Sequence, residues 1–212
     1  MSQDFKARRL WTEEQLAADA LKVRREHGYA DNEWAFDMLE CLSRLQFTRS
    51  VPVKHFTRAP GGDPAFVSYE PLELHISYEV HDKALKQDEW ARVVLAHETA
   101  HLRLHSDGRN AFSPIRLAES SWVIKEQRVE WQAQTWSSYF LLPDAIVRDA
   151  GSIDALVELC KVDEETASFR LSQIREADKR RALASACSNC GEFSAMRFSS
   201  GFRCGNCNNT IL

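Results

Sequence analysis

The apolar and polar positions of the chain change period several times, and each change marks an element. Thr12-Glu-Glu-Gln15 has the spacing of a capping box, so it opens a helix that runs to about His27, where Gly28 can end it. A second helix is expected from Asp31 or Asn32 to about Leu45, with Trp34, Met38, Leu39 and Leu42 as its apolar stripe. The pattern then shortens. Val51–Phe56 and Ala65–Tyr69 flank Ala59-Pro-Gly-Gly-Asp-Pro64, a turn-rich stretch that predicts a hairpin between them. Leu72–Tyr78 alternates as a third strand and is expected at the sheet edge. Helical spacing returns in the apolar run Ala91–Leu104, with Asp88 or Glu89 as its acidic start and Asp107-Gly108 as its stop. A further helix is expected from near Ser120 or Ser121 to Leu142, stopped by Pro143.

Length and charge bound what such a chain can be. With 212 residues and 44% hydrophobic content it can hold one compact domain with a real core and a small appendage. A net charge of -4 and a pI near 6.0 give no general attraction to nucleic acid or to acidic membranes. No apolar run reaches membrane-spanning length and no apolar secretory segment opens the chain, so a cytoplasmic protein is expected.

Within the apolar helix lies His97-Glu98-Thr99-Ala100-His101, a His-Glu-x-x-His motif. A four-residue helical step turns about 400°, which puts both imidazoles on one face, one turn apart, where they can share a zinc ion. Glu98 projects beside them and can take a proton from a nucleophilic water without ligating the metal. Val93, Val94, Leu95 and Ala96 leave little polar surface around the motif, and buried imidazoles need partners. A catalytic zinc takes three protein ligands, so one is missing. His105 is rotated off the metal face by another helical step and fits a supporting role better than a ligating one. Glu130, on the next helix with the small Ala133 one turn later, is a candidate, although its spacing alone suits a solvated helix glutamate equally well.

These residues resemble a known family. His97-Glu98-Thr99-Ala100-His101-Leu102-Arg103-Leu104-His105, followed by the block from Glu130 to Leu141-Leu142-Pro143, is similar to the ImmA/IrrE family of bacterial and phage metallopeptidases. In that family the glutamate opening the second block is the third zinc ligand, so the resemblance implies that role for Glu130. Thr99-Ala100 stand where the family has Leu-Gly, Gln134 where it has Asn, Trp136 where it has Phe, Ser137-Ser138 where it has Ala-Ala, and Leu142 where it has Met. None of these changes removes a ligand or the base. The step from Leu156–Cys160 to Ala167–Leu171 is similar to the family's helix-turn-helix-like segment, and the resemblance covers about residues 70–175.

The tail carries a second metal signature. Cys187-Ser-Asn-Cys190 and Cys204-Gly-Asn-Cys207 are two C-x-x-C knuckles separated by a short loop, the spacing of a structural zinc ribbon, with Gly191 and Gly205 at the knuckle turns. Two disulfides are the alternative, which a reducing compartment disfavours. Cys41 and Cys160 sit in amphipathic stretches and read as small buried hydrophobes. His55, His75 and His81 read as ordinary strand or loop histidines. Trp90, Trp122, Trp131 and Trp136 read as core or groove residues. Lys179-Arg180-Arg181 is diluted by Glu176 and Asp178 and makes a poor nucleic-acid contact.

The expected architecture is α+β: a zincin-like metallopeptidase domain with a small twisted β-sheet over residues 1–150, a helix-turn-helix-like helical segment over 151–182, and a zinc ribbon over 183–212. The expected function is limited endoproteolysis of a protein substrate. Two Zn2+ ions are expected, one catalytic on His97, His101 and Glu130, and one structural on Cys187, Cys190, Cys204 and Cys207. The family resemblance implies a transcriptional repressor of helix-turn-helix type as substrate, in stress response or mobile-element regulation. Two alternatives belong to other classes: a non-catalytic zinc-binding docking protein, and a DNA-associated protease of the SprT type, which also joins an HExxH helix to a C-terminal ribbon.

Overall fold

The computed structural model of the chain describes residues 7, 9–45, 48, 50–106, 128–184, 195–198, 201–204 and 207. They separate into two compact units, residues 1–167 and 168–212. The first unit is mixed α+β. Helix α1 (Glu13–Glu26) opens with the expected capping box: the Gln15 amide donates to the Thr12 hydroxyl, and the Thr12 amide donates to the Gln15 side chain. Gly28 follows at φ 82°, a left-handed conformation that a side chain would resist.

Helix α2 covers only Met38–Arg44, which corrects the expected start at Asp31 or Asn32. The reason lies in two buried arginines. The buried Arg24 guanidinium donates to the carbonyls of Ala30 (2.6 Å), Glu33 (3.0 Å) and, across the core, Phe140 (2.6 Å). Arg92, also buried, donates to the carbonyl of Phe36. Backbone acceptors that a helix would use internally are thereby held by arginines, and a buried guanidinium requires such partners. Asp37 then starts the helix by accepting from the amides of Leu39 and Glu40.

Three strands follow: β1 (Val53–Phe56), β2 (Ala65–Tyr69) and β3 (Leu72–Ser77). Their order is β1-β3-β2, with β1 parallel to β3 and β2 antiparallel to it. Two expectations fall here. The turn at 59–64 exists, with the Gly62 amide bonded to the Ala59 carbonyl, but it carries the chain from one edge of the sheet to the other and does not close a hairpin. The hairpin is β2–β3, pairing Tyr69 with Leu72 across Glu70-Pro71. The third strand is central, not an edge. Leu74, Ile76 and Ser77 are buried, and a strand buried to that degree needs a ladder on both sides, whereas β1 is mostly exposed and suits an edge.

Helix α3 (Tyr78–Ala84) leads into α4 (Glu89–His105), which Asp88 caps by accepting from the Ala91 amide at 3.1 Å. The expected stop at Asp107-Gly108 and the expected start at Ser120 or Ser121 lie outside the described residues. Helix α5 (Val129–Leu141) packs on both α1 and α4. Leu16, Ala20 and Val23 of α1, Leu95 and Ala96 of α4, and Ala133, Trp136 and Phe140 of α5 are buried. Each large side chain among them contributes on the order of 1.5–3 kcal/mol of hydrophobic stabilisation. Asp19 fastens the three helices: it accepts two hydrogen bonds from Arg103 (2.9 and 2.6 Å) and one from the Trp136 indole (2.9 Å). Helices α6 (Asp144–Ala150), α7 (Ile153–Cys160) and α8 (Glu164–Ala184) complete the helical order. Cys41 and Cys160 are buried, and burial pushes their thiols up to about 12 and about 11, which fits the inert role expected of them.

In the second unit, β4 (Ala195–Phe198) and β5 (Gly201–Cys204) form an antiparallel hairpin that pairs Ala195 with Cys204. Cys204 is buried and Cys207 half-buried, while Cys187 and Cys190 lie outside the described residues. Among the described residues, no helix is long and apolar enough to cross a membrane.

Candidate metal centre

Helix α4 brings His97 and His101 to one side, one turn apart, with ring centroids 4.7 Å from each other. Glu130, in the first turn of α5, reaches across from the neighbouring helix. Its Oε2 lies 3.1 Å from His97 Nε2 and its Oε1 3.7 Å from His101 Nε2, while the two Nε2 atoms are 3.0 Å apart. One ligating atom from each residue falls within 4.8 Å of the others. Two imidazole nitrogens and a carboxylate, converging from two rigid helices, fit the donor set and the spacing of a three-ligand zinc site. The contacts among the three are those of groups gathered around a common centre.

The electrostatics agree. Burial alone would raise the Glu130 carboxyl, but the neighbouring His101 imidazole at 3.7 Å, the hydrogen bond with His97 and the charge of the two rings hold it well below the ordinary carboxylate range. Burial works against the charged form of His97, yet the hydrogen bond to Glu130 and the charges of Glu98 and Glu130 raise it above its usual value. Glu98 is buried on the same helix, and burial pushes its carboxyl upward; His101 and His97 pull the other way, and Glu130 and Asp63 reinforce the rise. A carboxylate shifted toward neutrality is a better proton acceptor than an exposed one.

His97, Glu98, His101 and Glu130 line one open cleft of about 790 Å³. β2, a sheet edge, lines it with Ala65, Phe66, Val67 and Tyr69, and α4 adds Trp90, Val93 and Val94. The edge strand beside the active helix is therefore β2, not the Leu72–Tyr78 strand. Asp63, Asp163 and Glu165 also line the cleft, and no lysine or arginine does so among the described residues.

Two further residues were not given roles from the sequence. Tyr69 ends β2 inside the cleft, and its phenol is raised by burial and by the charges of Glu98 and Glu130. Gln132, two residues past Glu130 on α5, is buried and accepts from His105 Nε2 at 2.9 Å. Tyr69 had no signal beyond a polar tip closing an apolar strand, and Gln132 only its place within the Glu130 block. His105 does not join the ligand cluster; its Nδ1 faces His101 Nδ1 at 3.3 Å, a supporting position.

A family model described as an IrrE N-terminal-like domain, Peptidase M78, matches residues 62–172, just over half of the chain. No curated protein matches the chain.

Proposed function

The chain belongs to the Peptidase M78 family through its IrrE N-terminal-like domain, and from that premise we propose that it is a zinc-dependent endopeptidase making limited cleavages in a protein substrate. The observation that carries the reading is the convergence of His97, His101 and Glu130 beside a buried Glu98 on the wall of an open cleft. Those three side chains would hold the metal. A zinc ion there supplies a Lewis acid that polarises a peptide carbonyl and makes water nucleophilic near neutral pH.

The chain's own residues do the rest. An extended substrate adds to the exposed edge of β2 through main-chain hydrogen bonds, which lays its scissile carbonyl along α4. Glu98 accepts the proton of the attacking water and delivers it to the departing amide nitrogen. The Tyr69 hydroxyl donates a hydrogen bond to the carbonyl oxygen as negative charge grows on it. Phe66, Val67, Val93 and Val94 receive apolar substrate side chains.

The carboxylates of Asp63, Asp163 and Glu165, which no lysine or arginine joins among the described residues lining the cleft, favour a basic polypeptide. A helix-turn-helix repressor, the substrate implied by the family resemblance, has that character. In this reading the C-terminal cysteines Cys187, Cys190, Cys204 and Cys207 close a structural zinc ribbon around the β4–β5 hairpin, and the α7–α8 segment corresponds to the helix-turn-helix-like region of the family. Removing metal with a chelator should abolish cleavage of a basic protein substrate, and one added zinc equivalent at the HExxH site should restore it. Cleavage that survives complete metal removal overturns the proposal.

A further inference from the structure

We infer that a directional hydrogen-bond chain starting at a backbone carbonyl fixes the tautomer of His101, making Gln132 and His105 positioning residues for the metal centre. The inference rests on the proposal that His97, His101 and Glu130 hold zinc. The chain begins at the carbonyl of Arg9, just ahead of α1, where the Arg9 guanidinium lies over the Trp11 ring at 3.9 Å. A carbonyl only accepts, so the group facing it must donate. Gln132 therefore presents Nε2 to it, at 2.8 Å, and its Oε1 is committed to the opposite side.

Each later link follows from the one before. Oε1 only accepts, so His105 Nε2, 2.9 Å away, carries the hydrogen. The neutral His105 ring, buried at 4% exposure, has one N–H, and the Gln132 Oε1 already takes it. Its Nδ1 is then a bare lone pair. That lone pair faces His101 Nδ1 at 3.3 Å, and the contact is a hydrogen bond only when His101 Nδ1 donates. The proton of a neutral His101 is thus drawn to Nδ1, leaving Nε2 as a lone pair aimed at His97 Nε2 and Glu130 Oε1, into the metal cradle. With Gln132 reversed, or with an apolar side chain in its place, His105 is released to the other tautomer and its Nδ1–H opposes that of His101. Partners of this kind, behind a ligating histidine, are typically worth ~10–100-fold in metal affinity.

The test uses the full-length protein with Zn2+ alone as probe. Two-dimensional 15N–1H spectra of the imidazoles should show wild-type His105 as the Nε2–H tautomer. Chelator competition should then give a zinc affinity for Gln132→Leu lower than wild type by ~10–100-fold, with stoichiometry kept at saturating metal, whereas Gln132→Glu, whose carboxylate still accepts from His105 Nε2, should bind zinc more tightly than Gln132→Leu. An Nδ1–H tautomer for wild-type His105 overturns the inference even if neither variant folds, and so does unchanged zinc affinity in a folded Gln132→Leu protein. Absence of zinc binding to His97, His101 and Glu130 in the wild type would instead defeat the peptidase proposal, leaving the His105 spectrum to decide the tautomer chain by itself.

Discussion

Asp19→Ala removes a carboxylate that joins α1 to both helices of the metal centre. In the folded protein Asp19 accepts from the indole of Trp136, which is fully buried, and from two guanidinium nitrogens of Arg103. Without it the indole N–H has no acceptor there, at a cost of ~1–3 kcal/mol. Arg103 keeps 31% of its side chain exposed, so water replaces most of what it loses and its share is ~0.5–1 kcal/mol. The sum is about 3 kcal/mol, equivalent to a fall in Tm of roughly 6–12 °C for a chain of this size. Urea unfolding of zinc-loaded protein, followed by tryptophan fluorescence, measures it. In a Trp136→Phe background the indole N–H is already gone, so the cost of Asp19→Ala should shrink to that of the Arg103 pair. The dependence on pH has a definite sign. Burial would raise the Asp19 carboxyl, but hydrogen bonds from Arg103 and Trp136 and the Arg103 charge hold it below its ordinary value of 3.8. Its contribution is therefore present above pH 3.8 and is lost as pH falls through the lowered folded value, so wild type and Asp19→Ala should converge in acid. A loss below ~0.5 kcal/mol, the size of an ordinary surface substitution, or an equal loss in the Trp136→Phe background, would refute the reasoning.

Three other outcomes follow from the same picture. Glu130→Ala should weaken zinc binding at the HExxH site by orders of magnitude, while His105→Ala leaves one equivalent bound there at saturating metal; both are read by metal analysis after gel filtration against a weak chelator. Replacing Cys187 and Cys204 together by Ser should lower total zinc from about two equivalents to about one and expose the tail to limited proteolysis, with the HExxH site still loaded. Tyr69→Phe should lower kcat by ~10²-fold with zinc content and KM little changed, as measured by steady-state cleavage of a basic polypeptide.

How much of this was legible in the sequence depends on the range of the interaction concerned. The capping box at Thr12 and the pairing of His97 with His101 are local, fixed by helix geometry within one or two turns, and both stand as read. Glu130 meets His97 from 33 positions away, on another helix, and no periodicity contains that contact; the family resemblance supplied it. The alternation in residues 51–78 located three strands correctly, yet strand order depends on which edges the helices cover. That is why the hairpin and the edge strand were misassigned. The second helix is shorter than its periodicity predicts because Arg24 holds the carbonyls of Ala30 and Glu33 and Arg92, from α4, holds that of Phe36, contacts that no helical periodicity contains.

The central claim, hydrolysis by a zinc site with Glu98 as its base, is tested most directly by Glu98→Gln. The amide matches the carboxylate in shape but cannot accept a proton, and the loss expected from removing such a base is ~10²–10⁴-fold. Cells deleted for the native gene and carrying either wild type or Glu98→Gln can be compared by mass spectrometry of newly generated protein N-termini, with zinc content measured on both purified proteins. The account predicts a small, defined set of cleavages in wild type that disappears in Glu98→Gln while both zinc ions remain bound. The same N-termini in both strains, or full complementation by Glu98→Gln where His97→Ala fails, would mean that the site serves structure or docking and would contradict it.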